Sequence, residues 1–155
     1  MMKKSILLLL LVFSSVAINA QDLKWYTDVK EASALSIKTK KPMMLFFTGS
    51  DWCGWCMRLQ KEVFLQPAFT TWAKENVILV ELDYPRSKPL TPEIKKQNAE
   101  IGQMFAVRGY PTVWFVNPSN TNGQIAFERL GSTGYVAGGP DKWIEGANGI
   151  LKKQP

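Results

Sequence analysis

Two cysteines separated by two residues carry the clearest chemistry in this sequence. Cys53 and Cys56 are the only cysteines among the 155 residues, and they lie in the run Trp52-Cys53-Gly54-Trp55-Cys56. A thiolate at the start of a helix is stabilised by the unpaired backbone N–H groups and by the helix dipole. We therefore expect Cys53 to attack a disulfide of another molecule and Cys56 to resolve the mixed disulfide that results.

Three other interpretations of the cysteine pair stay open at this point. A zinc site needs about four ligands, and because the chain has no His and no further Cys, only a site shared between two chains would serve. A structural disulfide is the second alternative, although a bridge that closes so short a loop removes little entropy from the unfolded chain. The third is two buried thiols without a redox role. We favour thiol–disulfide exchange over all three.

A strand and a helix must position the pair. Met43 to Thr48 is a short apolar run that ends in Gly49 and Ser50, which is typical of a strand buried on both faces. Residues 57–74 have helical composition, with a kink or restart at Pro67. Cys53 should therefore lie at the tip of this helix, and Cys56 should lie one turn further along, where it is more shielded.

The remaining elements alternate along the chain. The patterns predict helices at 27–40, 92–105 and 140–152, strands at 77–82, 112–116 and 124–130, a turn at 117–123 and a glycine-rich connection at 131–139. Strands separated by helices and followed by a terminal hairpin imply a sheet that is parallel at first and then antiparallel. The expected class is α/β, with an N-terminal helix and a central mixed sheet covered by helices on both faces.

The first twenty residues have the layout of a secretory signal peptide. Lys3 and Lys4 form a basic start, residues 6–13 are apolar, and smaller residues lead to Ala20. The apolar stretch is about half of the roughly 20 residues that span a bilayer, which disfavours a permanent anchor. We predict cleavage after Ala20 and a single domain at 21–155, located outside the cytoplasm, where disulfides persist.

The charge of the chain is mild and scattered. The formal net charge of +6 falls to +4 when Lys3 and Lys4 are removed with the signal peptide. The densest basic cluster lies at the end of the first predicted helix, where lysines suit the negative end of the helix dipole; it consists of Lys38, Lys40 and Lys41. We therefore expect neither a nucleic-acid-binding surface nor stable insertion into a membrane.

The sequence resembles the thioredoxin superfamily. The resemblance rests on the Trp-Cys-Gly-Trp-Cys run after an apolar strand, on Val107-Arg108-Gly109-Tyr110-Pro111-Thr112 before another strand, and on the order of elements over residues 43–152. Residues 48–53 and the long loop at 85–92 are similar to those of small secreted thioredoxin-like disulfide reductases and interchange proteins of bacteria. The resemblance implies a thioredoxin-like fold and a monomeric periplasmic thiol–disulfide oxidoreductase without a metal or organic cofactor.

The resemblance also implies which residues bind the substrate. The peptide bond before Pro111 should be cis and should lie against the cysteine pair. Because proline has no N–H, Tyr110 can offer its own backbone groups to an extended substrate strand. Gly54 and Trp55 form the spacer between the cysteines, and we expect the Trp55 ring to be an exposed platform for substrate. For Trp52, substrate contact and core packing are equal alternatives.

Two positions depart from the thioredoxin pattern. Thioredoxins have a buried acid six residues before the first cysteine, where this chain has Phe47, and a lysine in the next strand, where it has Leu79. The proton acceptor for Cys56 must therefore be water or another acid. Glu81 is the candidate, because the period of two along a strand places it on the same side as Leu79. The alternative is that Glu81 is an exposed carboxylate at a sheet edge.

The spacer favours a reductase. It lacks the His that strongly oxidising members of the superfamily use to stabilise the thiolate, so we expect a less oxidising couple. The substrates would be protein disulfides, and the resemblance implies a membrane thiol-electron transporter as the electron donor. The alternatives are a disulfide isomerase, a reductase dedicated to one client such as the cysteines of an apocytochrome, and a non-redox peptide-binding or chaperone module that uses Trp52, Trp55 and Tyr110.

Overall fold

The computed structural model describes residues 22–152, so the signal peptide predicted at 1–20 lies outside the described residues. The strands are β1 (Trp25–Tyr26), β2 (Met43–Thr48), β3 (Ile78–Asp83), β4 (Thr112–Thr121) and β5 (Gln124–Thr133). The helices are α1 (Val29–Thr39), α2 (Gly54–Leu59), α3 (Pro67–Asn76), α4 (Pro92–Met104) and α5 (Gly139–Leu151), and a π-helical segment, Gln60–Phe64, continues α2.

The five strands form one mixed sheet in the order β1-β3-β2-β4-β5. β3 runs parallel to both β1 and β2, whereas β4 is antiparallel to its neighbours β2 and β5. The predicted α/β class is thus confirmed. The edge strand β1 was not predicted, because two residues are too short to show an alternating pattern.

Strand β2 is buried on both faces and separates two hydrophobic cores. Met44 and Phe46 point to the core beneath α2, α3 and α5, and Met43, Leu45 and Phe47 point to the core beneath α1 and α4. All six residues of β2 are buried, which confirms the prediction of a doubly buried strand. Among residues 22–152, no helix is long and apolar enough to cross a bilayer.

The terminal hairpin is longer than the sequence predicted. Residues 117–121 were expected to be a turn, but they continue β4 and pair with residues 124–128. Asn122 and Gly123 alone make the turn, with φ of 53° and 82°, the conformation that a two-residue hairpin loop requires. The prediction was wrong because the polar, exposed tip of the hairpin carries no apolar alternation, although its backbone groups still pair across the ladder.

The helix after β2 begins at the cysteine pair, as expected. α2 starts at Gly54, and Cys53 occupies the N-cap position, where its sulfur accepts a hydrogen bond from the Cys56 backbone N–H. The helical stretch breaks after the π-helical segment and resumes at Pro67, which lies in the first turn of α3. The restart at Pro67 is therefore confirmed.

Trp143 of α5 is the largest fully buried side chain, and its loss should be the costliest single truncation. Its ring lies 5.3 Å from that of Phe64 and 5.8 Å from that of Phe69 between centroids, and its indole N–H donates to the Gly134 carbonyl. We predict that Trp143→Ala lowers the free energy of unfolding by about 3–5 kcal/mol. Urea denaturation measures this.

The control variant is Trp55→Ala, which truncates a Trp that is 55% exposed. We expect it to cost about 1 kcal/mol or less. Equal losses in the two variants would contradict the packing described for α5.

Candidate active site

Cys53 and Cys56 form a disulfide at the amino end of α2. Their Cα atoms are 5.3 Å apart, inside the range that disulfides adopt. The Cys53 sulfur lies 3.2 Å from the Cys56 backbone nitrogen, and the Cys53 carbonyl accepts a hydrogen bond from the Met57 N–H. Among the described residues, no group of three or more His, Cys, Asp or Glu side chains is arranged to hold a metal ion. The local geometry therefore suits a bond that opens and closes between two adjacent turns of one helix.

The two cysteines differ in access to solvent. Cys53 is 6% exposed and Cys56 is 0% exposed. Both residues are thus largely buried, and Cys53 is the one that retains some contact with solvent. The order of exposure is the one that the spacing predicted, with Cys56 the more shielded of the two.

The loop between β2 and the cysteines is tied to the end of β3. The carboxylate of Asp83 accepts hydrogen bonds from the backbone N–H and the hydroxyl of Ser50. The indole N–H of Trp52 donates to the Tyr84 carbonyl over 2.8 Å. Asp83 and Tyr84 were not predicted as site residues, because nothing in the sequence shows that the end of β3 meets this loop. Both contacts fix the residues that immediately precede Cys53.

A second carboxylate ties the same loop to the residues after β3. Asp51 accepts hydrogen bonds from the backbone N–H groups of Arg86, at 2.9 Å, and Ser87, at 2.6 Å. These bonds hold the pKa of the Asp51 carboxyl below its ordinary value. Asp beside a turn is a sequence signal for such backbone bonds, but the sequence did not indicate its partners. The result is a loop held by side chains at both Ser50 and Asp51.

Trp52 both packs and lines the surface. Its side chain is half-buried and packs against the core that contains the cysteines. The ring meets that of Tyr110 edge to face at a centroid distance of 5.6 Å, and the Arg86 guanidinium lies 4.1 Å from its centroid. A side chain at Gly49 would overlap the indole, so a glycine is required there. The structure therefore shows the core packing of Trp52, and its contact with substrate stays a prediction.

Tyr110 and Pro111 lie at the same end of the sheet as the disulfide. The bond between them is cis, as predicted. Pro111 directly precedes Thr112 of β4, and Thr112 pairs with Phe47 near the end of β2. Tyr110 is half-buried, and burial raises the pKa of its hydroxyl. The backbone of Tyr110 is therefore placed beside the strand that leads into the cysteines.

The exposed ring of Trp55 and the side chains that pack against it form an aromatic wall near the cysteine pair. The Trp55 ring is 5.1 Å from that of Tyr135, and the Arg58 guanidinium lies 5.3 Å from both ring centroids. Glu62 joins the group, since its carboxylate accepts hydrogen bonds from the Tyr135 hydroxyl and from Arg58 Nε. These two hydrogen bonds hold the pKa of the Glu62 carboxyl below its ordinary value, and the bond from Tyr135 contributes more than the bond from Arg58. The Trp55 ring is thus exposed to solvent but is held in place by its contacts with Tyr135 and Arg58.

The spacer residue Gly54, next to Cys53, leaves space that a side chain would otherwise fill. Gly54 is exposed, and a Cβ atom at this position would meet no atom within 4 Å. Of the braced wall, only Trp55 was predicted. Arg58 and Glu62 are four residues apart, the spacing of an ion pair on a helix. This spacing was the one feature of the sequence that could have indicated their contact. Tyr135 follows Gly134 in the connection after β5, and no feature of the sequence indicated that it contacts Trp55.

Phe47 does not lie beneath the cysteines. It belongs to the opposite core, where its ring meets Phe105 at 6.0 Å. Its neighbours Phe46 and Thr48 point to the face that carries the disulfide, because side chains alternate along a strand. Counting six residues back from Cys53 therefore selects a residue on the wrong face. Neither of the two positions that do face the disulfide carries a carboxylate.

Glu81 lies on the disulfide side of the sheet. It pairs in register with Phe46 and is half-buried on an interior strand, not at a sheet edge. It lines a small cavity of about 220 Å³ with Gln60, which follows Cys56 by one helical turn. The other lining residues are aromatic or aliphatic: Trp25, Phe46, Phe64 and Leu65. Burial raises the pKa of the Glu81 carboxyl, the charge of Asp83 adds to the rise, and that of Lys88 opposes it.

The raised pKa makes Glu81 a source of instability at neutral pH. The folded chain holds this proton more tightly than the unfolded chain, so loss of the proton above the ordinary Glu pKa favours unfolding. We predict that Glu81→Gln raises the thermal unfolding temperature at pH 7 and that the gain disappears below about pH 4, where Glu is protonated in both states. Thermal melts across this pH range measure it.

The matched control is Glu75→Gln, which removes the same charge from an exposed position on α3. We expect no comparable pH-dependent gain there. A Glu81→Gln variant that is less stable than the wild type at pH 7 would show that the buried carboxylate is compensated by contacts other than those described.

Comparison with known proteins agrees with this geometry. The family model described as thioredoxin-like matches residues 24–118. The disulfide bond reductase DsbH of Chlamydia pneumoniae is 32% identical over 121 residues, which are 77% of this chain and 72% of that protein. The thiol:disulfide interchange protein DsbD of Vibrio vulnificus is 33% identical over 113 residues, but these are only 17% of its length.

A solved structure shows the same arrangement of elements. The structure titled DsbH oxidoreductase superposes with a TM-score of 0.79 at 28% sequence identity, and the match covers 92% of this chain and 94% of that one. The likeness therefore extends beyond the cysteine motif to nearly the whole fold.

Proposed function

The chain belongs to the thioredoxin-like family and is a thiol–disulfide oxidoreductase, and we propose that it reduces disulfide bonds of proteins outside the cytoplasm. The observation that carries the proposal is the Cys53–Cys56 disulfide at the start of α2, in which Cys53 is 6% exposed and Cys56 is fully buried. Its likeness to a protein named as a disulfide bond reductase supports the reductive direction.

The reaction starts from the dithiol. The Cys53 thiolate attacks one sulfur of the substrate disulfide, a mixed disulfide forms, and the first substrate sulfur leaves as a thiolate. Cys56 then loses its proton and attacks the Cys53 sulfur, so that the Cys53–Cys56 bond forms and the second substrate sulfur leaves with the electron pair. The substrate gains two electrons and, with two protons from solvent, becomes a dithiol, while the protein becomes the disulfide.

The site stabilises the Cys53 thiolate through its own backbone. The Cys56 N–H already points at the Cys53 sulfur in the disulfide, and a hydrogen bond to an ionised acceptor is roughly twice as strong as a neutral one. No His lies anywhere in the chain. The thiolate is therefore stabilised by backbone donors more than by a cation, which favours a reducing couple.

Glu81 is the proposed proton acceptor for Cys56. It lies on the disulfide face, and Gln60 connects its cavity to the helix turn that carries Cys56. Its pKa is raised and is therefore closer to the pKa of a thiol than that of an ordinary carboxyl. Proton transfer from the thiol to the carboxylate is then less unfavourable. Water between the carboxyl and the sulfur would complete the path.

The substrate binds across the surface formed by Trp52, Trp55 and Tyr110. Tyr110 and Pro111 offer an extended backbone edge at the end of β4, and a substrate strand pairs there through main-chain hydrogen bonds. Trp52 and Trp55 provide apolar contact on either side of Cys53, and Gly54 leaves room for the approaching sulfur. The substrate class is therefore an extended protein segment that contains the target disulfide.

The proposed location is the periplasm. Its support is the basic and apolar layout of residues 1–20, which is that of a cleaved secretory signal. In an oxidising compartment a reductase must be re-reduced, and we propose a membrane thiol-electron transporter as the donor. The protein would work as a monomer, since both cysteines and the aromatic residues Trp52, Trp55 and Tyr110 belong to one chain.

The central test traps the mixed disulfide. In Cys56→Ser the resolving thiol is absent, so we predict covalent complexes between Cys53 and substrate proteins that survive denaturation and disappear on treatment with dithiothreitol. Non-reducing electrophoresis of the purified variant incubated with a disulfide-containing protein measures them.

The matched control is Cys53→Ser, which keeps Cys56 but places it where it is 0% exposed in the native pair. We expect few or no complexes with this variant. Equal trapping by both variants, or no trapping by either, would overturn the assignment of roles to the two cysteines.

The reduction potential tests the direction of the reaction. We predict a value close to that of thioredoxin, about −270 mV, and far from the value of about −120 mV of strong oxidants. Equilibration of the Cys53/Cys56 pair with glutathione at known ratios, followed by alkylation and mass spectrometry, measures it. A value near the oxidant would instead indicate disulfide formation, and efficient refolding of a scrambled multi-disulfide protein would indicate an isomerase.

A further inference from the structure

A cleft with three positively charged side chains lies beside the loop that leads into Cys53. It has a volume of about 480 Å³ and is formed by the residues that follow β3 and by the first half of α4. Its cations are Arg86, Lys88 and Lys95, and all three residues are exposed. Among the described residues that line the cleft, Asp83 supplies the one carboxylate. The lining therefore has an excess of positive charge.

The three cations are not paired with acids of the protein. The ion pairs found within residues 22–152 all join other residues. The carboxylate of Asp83 already accepts hydrogen bonds from the backbone N–H and the hydroxyl of Ser50. Like charges that share a cavity repel each other. An acidic group from another molecule would relieve this repulsion.

Two aromatic contacts join the cleft to the redox site. The Arg86 guanidinium lies 4.1 Å from the centroid of the Trp52 ring, and Trp52 directly precedes Cys53. Tyr84, which also lines the cleft, has its ring 5.2 Å from that of Tyr110 between centroids. The backbone of Tyr110 is the proposed edge for a substrate strand. The cleft therefore borders the surface on which the substrate is proposed to bind.

The loop that carries two of the cations is held in place. The Asp51 carboxylate accepts hydrogen bonds from the backbone N–H groups of Arg86 and Ser87. Pro85 and Pro89 fix φ at two further positions of the same loop. A backbone that is ordered before binding reduces the entropy that is lost when a partner binds. The cations thus extend from a preformed support.

The cation beside Trp55 differs from these three. The Arg58 guanidinium lies 5.3 Å from the centroid of the Trp55 ring, but it forms an ion pair with Glu62 over 2.7 Å. An acidic group of a substrate would therefore meet an unpaired cation beside Trp52 and a paired one beside Trp55.

We propose that this cleft binds an acidic segment of the substrate protein, close in sequence to the disulfide that is reduced. The inference rests on the proposed function and adds a substrate class to it, namely proteins with Asp or Glu residues near the target cysteine. The guanidinium of Arg86 can hold a carboxylate through two parallel hydrogen bonds, whereas Lys88 and Lys95 act as point charges.

The test compares two peptides that differ only in charge. Each contains one cysteine in a disulfide with the same chromogenic thiol, and the positions around the cysteine are occupied by Glu in one peptide and by Gln in the other. Stopped-flow absorbance measures how fast the reduced protein releases the chromogenic thiol. Each rate constant is divided by the rate constant with dithiothreitol under the same conditions, which corrects for the different intrinsic reactivity of the two disulfides.

We expect the normalised rate constant to be about fivefold to tenfold larger for the Glu peptide at low salt, because each exposed ion pair contributes only modestly. The preference should decrease toward equality in about 1 M salt, where charges are screened over about 3 Å.

The double variant Lys88→Gln/Lys95→Gln removes two of the three charges and keeps Arg86 beside Trp52. We expect it to reduce the preference for the Glu peptide to about twofold, the contribution of a single exposed ion pair. The charge of Lys88 also opposes the raised pKa of Glu81. A change in the chemical step acts on both peptides alike, so it cancels in the ratio of their rate constants.

The matched control is Lys38→Gln/Lys74→Gln, which removes two charges from the last turns of α1 and α3. These helices lead into the starts of β2 and β3, so both lysines lie at the end of the sheet away from Cys53. We expect the control to keep the full preference of the wild type.

Each outcome decides the proposal. Equal normalised rate constants for the two peptides in the wild type would overturn the inference and leave the proposed function intact, since both disulfides are then reduced. A preference that persists in Lys88→Gln/Lys95→Gln would also overturn it, because another surface must then recognise the charge. Binding of inorganic phosphate without a preference between the peptides would indicate a site for a small free anion and would overturn it as well. A wild-type protein that reduces neither peptide would overturn the function and the inference together.

Discussion

The site depends on one constraint: two sulfurs must be close enough to bond while Cys53 stays nearer to solvent than Cys56. A single helical turn satisfies it only if the helix starts at a fixed point against a rigid support. β2 provides that support, because it is buried on both faces and hydrogen-bonded on both edges, to β3 and to β4. Both cores of the protein pack against this one strand, so the position of Cys53 is determined by most of the fold.

The loop that joins β2 to α2 would be mobile if the strand alone held it. Two carboxylates hold the loop in place by accepting hydrogen bonds from backbone N–H groups. Asp83 accepts one from Ser50, which lies in the loop, and Asp51 of the loop accepts two from Arg86 and Ser87. Hydrogen bonds to charged acceptors are stronger than neutral ones. The loop that leads into Cys53 is thereby held by acids that lie outside the cysteine pair, so its hydrogen bonds do not depend on whether the disulfide is open or closed.

The sequence was informative where a short-range pattern exists and silent where contacts come from distant segments. The apolar run of β2 and the spacing of Cys53 and Cys56 predicted the strand, the helix and the disulfide. The brace of Trp55 by Tyr135 joins residues 80 positions apart along the chain, and no local pattern indicates it. The two-residue strand β1 and the polar tip of the hairpin were missed for a related reason, since both form through backbone pairing with little apolar burial.

Counting six residues back from Cys53 selected Phe47 as the position of the acid in the thioredoxin pattern, but Phe47 lies on the opposite face of the sheet. The alternation of β2 turns Phe47 away from the cysteines and turns Phe46 and Thr48 toward them, so the site has an aromatic ring and a hydroxyl where a thioredoxin-like pattern suggests an acid. The two tasks of such an acid are to accept the proton and to favour the thiolate, and they conflict, because a carboxylate close to a thiolate repels it. Separating the tasks resolves the conflict. We propose that Glu81 takes the first task, since it lies on the disulfide face and lines a cavity with Gln60, one helical turn after Cys56, and that the Cys56 backbone N–H, which donates to the Cys53 sulfur, takes the second.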